Sequence, residues 1–397
     1  MRRFALLASV VLLAAAACGT GPGPAAPAEA GAVDHSGHTL PPAPPAEPLR
    51  DGERFVDLRM ANPYLPVPPR GGTDQYRCFL VDPQLATPTY VTGAQFLPQN
   101  PAVVHHAILF RIGPDDVAKA RSLDAADDGD GWTCFSGTGI NSGGGGSGGL
   151  GSLLGGGWLA AWAPGGRETL ATPGTGYSVA AGSQIVMQVH YNLLATGGKA
   201  AGTDQSGVRL RVMDGAAKLR PLQTTLVPAP IELPCAPDES GPLCDRTTAV
   251  QDVGTRFGYT AQLAVTALNY LCNRGQEPTP GPTQHCDQTV RAAGQVQAVA
   301  GHMHLLGRSI KVELNPDTPR ARTLLDVPVY NFDDQNAHPV SEPVTVAPGD
   351  VLRVTCTHDA SLRRQLPELK PLPPRYVVWG DGTSDEMCLG IVIWARA

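Results

Sequence analysis

The stretch Glu386-Met387-Cys388-Leu389-Gly390-Ile391-Val392-Ile393-Trp394 reads as a β-strand. With a side-chain period of two, Met387, Leu389, Ile391 and Ile393 fall on one face, and Cys388, Gly390, Val392 and Trp394 on the other. Comparable short runs rich in Val, Ile, Leu and Tyr recur between turn signals along the chain. They are Gln75–Val81, Tyr90–Phe96, Val103–Ile112, Ser183–Leu194 and Gly207–Val212, then Tyr259–Val265, Val296–His304, Ser309–Leu314, Val351–Thr357 and Tyr376–Trp379. The segment Tyr259–Cys272 could instead form a short helix. With 46 glycines and 38 prolines among 397 residues, the chain has the loop content of an all-β protein. Its length suits two domains better than one sandwich, and Asp214–Leu219 is the natural boundary.

The first residues, Met-Arg-Arg-Phe followed by an apolar run from Ala5 to Ala17, form a secretory signal (1–17). That run is too short to cross a bilayer, which takes about 20 apolar residues. Cys18 after Ala15-Ala16-Ala17 looks like a bacterial lipidation site. Residues 18–50, rich in Pro, Ala and Gly, then form a tether without a core. The expected location is the bacterial periplasm or cell surface, with the membrane met only through a lipid on Cys18. Eight other cysteines, at 78, 134, 235, 244, 272, 286, 356 and 388, suit four disulfides in an exported protein. Sequence proximity favours Cys235–Cys244 and Cys272–Cys286, leaving Cys78, Cys134, Cys356 and Cys388. The formal net charge is −6 without basic runs, which excludes nucleic acid as a partner.

Five of the ten histidines sit in strand-like apolar segments: His105 and His106 in V-V-H-H-A-I, His190 in M-Q-V-H-Y-N, and His302 and His304 in G-H-M-H-L. Neutral imidazole is the commonest protein ligand for transition metals. One buried histidine is ordinarily a hydrogen-bonded core residue, but five in such surroundings point to metal. In a strand, His302 and His304 project to one side, as a two-imidazole site needs. Met303 points the opposite way, to a core. Met387 is by default core filler; beside two histidines its soft thioether selects copper. His105 and His106 face opposite ways in a regular strand, so they share an ion only at a bulge, a bend or a strand end. His190, on the face of Val186, Gln188 and Asn192, could complete a three-histidine site.

These segments, taken in order, resemble the copper type II, ascorbate-dependent monooxygenases, the family of peptidylglycine alpha-hydroxylating and dopamine beta-monooxygenases. The resemblance runs through V-V-H-H-A-I-L-F (103–110), W-L-A-A-W-A-P-G (158–165), Q-V-H-Y-N (188–192), G-H-M-H-L-L-G (301–307), P-G-D-V-L-R-V-T-C (348–356) and S-D-E-M-C (384–388). It implies two tandem, jelly-roll-like β-sandwich domains, 51–215 and 216–397, with a solvent-filled cleft between them. It also implies two copper ions: an electron-transfer copper on His105, His106 and His190, and an oxygen-binding copper on His302, His304 and Met387. The coppers are implied to lie far apart. Disulfides Cys78–Cys134 and Cys356–Cys388 follow from the same pattern. The implied reaction hydroxylates a C–H bond of a small organic substrate with dioxygen, and ascorbate or another one-electron reductant supplies electrons.

The chain departs from the peptide-amidating members at two positions. They carry an arginine two residues before H-x-H and a tyrosine four residues after the ligand methionine; here stand Ala300 and Ile391. Alanine cannot replace a bidentate clamp, so a peptide ending in glycine is not the expected substrate. Two rival readings are a non-catalytic copper-binding lipoprotein on the same fold and a zinc hydrolase, the latter lacking the helical half of its pattern. His35 and His38 read as linker, His338 as solvated or merely packed, and the glycine-rich run 143–157 as a surface loop that could border the cleft.

Overall fold

The computed structural model describes residues 45–69, 72–135, 137–140, 157–199 and 201–396. The signal, the tether up to residue 44, Cys18, His35, His38 and loop residues 143–156 lie outside them. Strands dominate, and they form sandwich-like layers around two hydrophobic cores. Among the described residues, no helix is long and apolar enough to cross a membrane.

In the first half, a five-stranded sheet runs in the order Trp132–Thr133, Asp74–Val81, Gln184–Asn192, Val104–Ile112, Trp158–Trp162. Its middle strand, Q-I-V-M-Q-V-H-Y-N, is buried at all nine positions. The reason is that both faces are covered. Ile185, Met187, Val189 and Tyr191 fill the core shared with a second sheet, while Val186 meets the cluster of Cys78, Cys134 and Ala120. That second sheet is nine-stranded and continuous through both halves. It passes from Glu53–Arg59 through Gly207–Asp214, Thr89–Leu97 and Thr175–Val179 to Arg220–Ala229, Cys388–Arg396, Gly294–His302 and His338–Val346, with Thr169–Leu170 paired to Thr89–Leu97. The join is a short parallel pairing, Arg220↔Thr175 and Pro221↔Gly176.

In the second half this sheet faces a four-stranded one: Thr283–Thr289, Val351–His358, Gly307–Leu314, Arg322–Val327. Gly301 belongs where the layers touch, because a Cβ there would lie 2.7 Å from the Ile310 side chain. The absence of a side chain at 301 thus sets how closely the strand bearing His302 approaches the layer behind it.

Among the described residues, three segments are α-helical: Val117–Ala126, Arg246–Phe257 and Tyr259–Cys272. The strand expected at Tyr259–Val265 is therefore corrected to the helical alternative. Its buried residues Ala261, Ala264, Val265 and Leu268 are spaced for one helix face, and this spacing wins over the local β-branched pair Val265-Thr266. Helix Arg246–Phe257 starts at Asp245, whose side chain accepts the Thr248 N–H. Four disulfides are present: Cys78–Cys134, Cys235–Cys244, Cys272–Cys286 and Cys356–Cys388. Such a set belongs to an oxidising compartment.

Candidate metal centre

The strand Val104–Ile112 loses regular pairing at its start. Val104 pairs with Tyr191 and His106 with His190, so the register shifts at His105, an extra residue in this strand. A bulge of this kind bends the strand and re-aims a side chain. It lets two adjacent histidines turn toward the same point, which a regular strand forbids. The ligand nitrogens of His105, His106 and His190 lie within 4.8 Å of one another, and Nδ1 of His105 faces Nδ1 of His190 at 2.9 Å.

His190 is fully buried and is oriented from behind. Its Nε2–H donates to Asp74 Oδ1 at 2.9 Å, which leaves Nδ1 toward the cluster. Burial lowers the His190 pKa despite the nearby carboxylate, so the imidazole is neutral, the form that binds metal. Burial works against ionisation of Asp74 too, but the bonds from His190, Thr383 and Thr73 pull its pKa down to about 2. The ring of Tyr76 stacks on His190 with centroids 4.1 Å apart.

Strand Gly294–His302 ends at His302, so His304 stands beyond regular pairing rather than two residues along one strand face. The rings still converge, with centroids 5.2 Å apart. His302 Nδ1 meets Gln335 Oε1 at 2.6 Å, and His304 Nδ1 meets the Asp385 carbonyl at 3.1 Å. With the proton on each Nδ1, both Nε2 atoms carry the lone pair. The Nε2 of His304 is buried without a hydrogen-bond partner, which is an unusual state for a core nitrogen and the natural one for a metal donor. Burial, reinforced by His304, lowers the His302 pKa to about 3. Met303, just past the strand end, is fully buried in the core.

Met387 stands just before the final strand and lines one cavity with His302 and His106. Its position is fixed by Glu386. The Glu386 carboxylate accepts backbone N–H groups from His304 (2.9 Å), Leu306 (2.6 Å) and Met387 (3.2 Å), and lies 3.3 Å from His358 Nε2. Burial opposes the charge, yet the His358 contact and the His304 N–H hold this carboxyl below the usual glutamate range. Asp385, its neighbour, is bonded to Arg256 and Arg375. Disulfide Cys356–Cys388 fixes the next residue.

The two histidine groups are not far apart: the His106 and His302 rings are 5.6 Å apart, and His105 stacks on Phe332 at 4.8 Å. The wide separation implied by the family resemblance is corrected here. Its physical reason is a set of bonds between the halves. Thr383 donates its N–H and hydroxyl to Asp74 (3.1 and 2.6 Å), and the Tyr76 hydroxyl donates to the Asp381 carbonyl (2.8 Å). Asp74, Tyr76, Thr383, Gln335 and Glu386 all escaped sequence reading. Only the acidic pair preceding Met387 gave a visible hint. His338 is exposed, while His358 is the buried partner of Glu386.

Residues 282–396 match the family model for the C-terminal domain of copper type II ascorbate-dependent monooxygenases. Among solved structures, the chain is similar to an allantoicase, with 8% identity and a TM-score of 0.19, over 87% of this chain and 90% of that one. It is also similar to a Paenibacillus xanthan lyase, with 11% identity and a TM-score of 0.19, over 85% of this chain and 26% of that one. Similarities at these scores carry no argument about the site.

Proposed function

We propose that this chain is a two-copper monooxygenase that hydroxylates a C–H bond of a small organic substrate. The observation that carries this reading is the convergence of six donors near one cavity: His105, His106 and His190 facing His302, His304 and Met387. The buried, partnerless Nε2 of His304 fits a bound ion. Imidazole and thioether donors suit copper rather than magnesium or calcium. Bound copper would supply one-electron chemistry and dioxygen activation. The reaction balances as R–H, O2, two electrons and two protons giving R–OH and water, with ascorbate or an equivalent one-electron reductant as electron source.

The chain's own residues prepare the donors. Gln335 and the Asp385 carbonyl hold the protons of His302 and His304 on Nδ1; Asp74 holds that of His190 on Nε2. Such partners fix tautomer and ring direction before an ion arrives. In this reading residues 51–215 carry the electron-transfer copper and 216–397 the oxygen-binding one. The protein is exported and tethered through Cys18.

Met387→Ile tests the assignment. The variant is expected to fold with its circular dichroism unchanged, bind one copper per chain where the parent binds two, and lose ascorbate-dependent oxygen uptake. Normal turnover would refute the role of Met387. Two coppers in the parent without any oxygen uptake would favour the non-catalytic copper-binding alternative.

A further inference from the structure

We infer that the substrate is uncharged and hydrocarbon-like, with a body about the size of one ring, lying between an aliphatic wall of the second half and an aromatic wall of the first. This rests on the monooxygenase reading above. The cavity that reaches Met387 and His302 has a volume of about 140 Å³. An apolar cavity of roughly 150 Å³ accommodates benzene.

The aliphatic wall follows from strand parity. Met387, Leu389, Ile391 and Ile393 share one face and all line this cavity. Across the sheet, Ile391 pairs with Leu226 on one side and with Ala300 on the other. The two positions at which this chain departs from the peptide-amidating pattern, 300 and 391, are thus direct cross-strand partners. Both polar groups are replaced at a single spot, and the replacement pair is apolar. The facing wall carries Ile108, Phe110 and Trp158, the last two in edge contact at 5.7 Å.

Several polar groups in the lining already bond within the protein. The Tyr177 and Thr224 hydroxyls bond at 2.8 Å, Gln335 bridges His302 and the Phe332 carbonyl, and Gln188 donates to the Cys134 carbonyl. Among its lining residues Arg167 is exposed, and Asp381 is buried beside Tyr76. A charged substrate group along the rail formed by residues 389, 391 and 393 would lose water without gaining a partner. Asp381 makes an amine the sharpest competing occupant.

The test compares three probes of one shape: ethylbenzene, 2-phenylethylamine and 3-phenylpropionate. Each is titrated into the copper-free full chain, followed by tryptophan fluorescence because Trp158 and Trp162 line the cavity. Each is then supplied to copper-loaded protein with ascorbate, and hydroxylated product is measured. Ethylbenzene is expected to bind and to be turned over with a kcat/KM at least tenfold above either charged probe. Leu226→Phe, which fills the cavity and keeps it apolar, should weaken ethylbenzene binding at least tenfold. Tighter binding or faster turnover of the amine or the acid overturns the inference, as does ethylbenzene binding unchanged by Leu226→Phe. If ethylbenzene binds selectively but no probe elicits oxygen uptake, the pocket assignment stands and the monooxygenase reading falls.

Discussion

His105 owes its direction to one extra residue in the strand register, and nothing in V-V-H-H-A-I states that the bulge is there. Strand parity could say only that some irregularity was needed if both histidines served one ion. The H-x-H pair was more legible, because two residues apart is a same-side spacing in a strand and still brings the rings together when the second lies just past its end. What stayed hidden were residues acting from behind the donors, since most of their partners are distant in sequence, as Asp74 is from His190 and Glu386 from His304. Thr383 is one. Thr383→Val keeps the shape and removes the hydroxyl donated to buried Asp74, at an expected cost of about 1–3 kcal/mol. Because Asp74 orients His190, copper affinity of the three-histidine site should fall about 10- to 100-fold. Competition against a calibrated chelator reads this, and unchanged affinity would remove Asp74 from the orienting role. Glu386 is the other. Glu386→Ala strips three backbone N–H groups of their acceptor. Electron paramagnetic resonance of the oxidised protein should then show loss of the His302, His304 and Met387 signal, with that of His105, His106 and His190 retained.

Some strands announced themselves by alternation, with ends that moved by only a residue or two, as at Cys388–Arg396 and Gly207–Asp214, whereas others, such as Arg322–Val327 and His338–Val346, were not read. Helices were harder. Arg246–Phe257 has polar residues at seven of its first eleven positions outside its buried Ala249, Val250 and Val253, so its apolar stripe is thin. One strand pair is held by charge, which periodicity does not reveal. Arg211, buried in Gly207–Asp214, bonds to Glu53 at 3.0 Å, to Glu168, and to the Pro48 and Glu47 carbonyls. Arg211→Met takes from buried Glu53 and Glu168 the cation they share, leaving Glu53 only Arg50 at 3.9 Å, and should cost about 3–5 kcal/mol in urea unfolding. The same cluster sets a pH dependence. Burial alone would raise the Glu53 carboxyl, but the Arg50 N–H, the Thr92 hydroxyl and Arg211 bring its folded pKa below the ordinary 4.5. Its stabilisation is therefore complete above that ordinary value and disappears as pH falls through the lowered folded one. Urea midpoints measured from pH 7 downward should decline more steeply in the parent than in Glu53→Gln.

At the level of the molecule, the all-β architecture and two disulfides, Cys235–Cys244 and Cys272–Cys286, were readable from composition, alternation and cysteine spacing, while Cys78–Cys134 and Cys356–Cys388 came from the family resemblance. The approach of the two histidine groups was not. It depends on Thr383 with Asp74, on Tyr76 with Asp381, and on Phe135 against Phe257 at 5.1 Å, and no local pattern encodes contacts so distant in sequence. Disulfide Cys356–Cys388 secures the segment next to Met387. Replacing both cysteines by alanine should lower stability by about 2–4 kcal/mol, visible as a lower melting temperature, and should loosen copper at His302, His304 and Met387 more than at the other group.

The final strand has a consequence for biosynthesis. Ala395, near the end of that strand, and Leu222 belong to the core of the first half, together with Val91, Leu210 and Val212. A ribosome that has released the first two hundred residues has therefore not yet supplied everything that core requires. Completion of both halves waits for this strand to emerge, so the earlier part of the chain, on its own, holds a core with an open side.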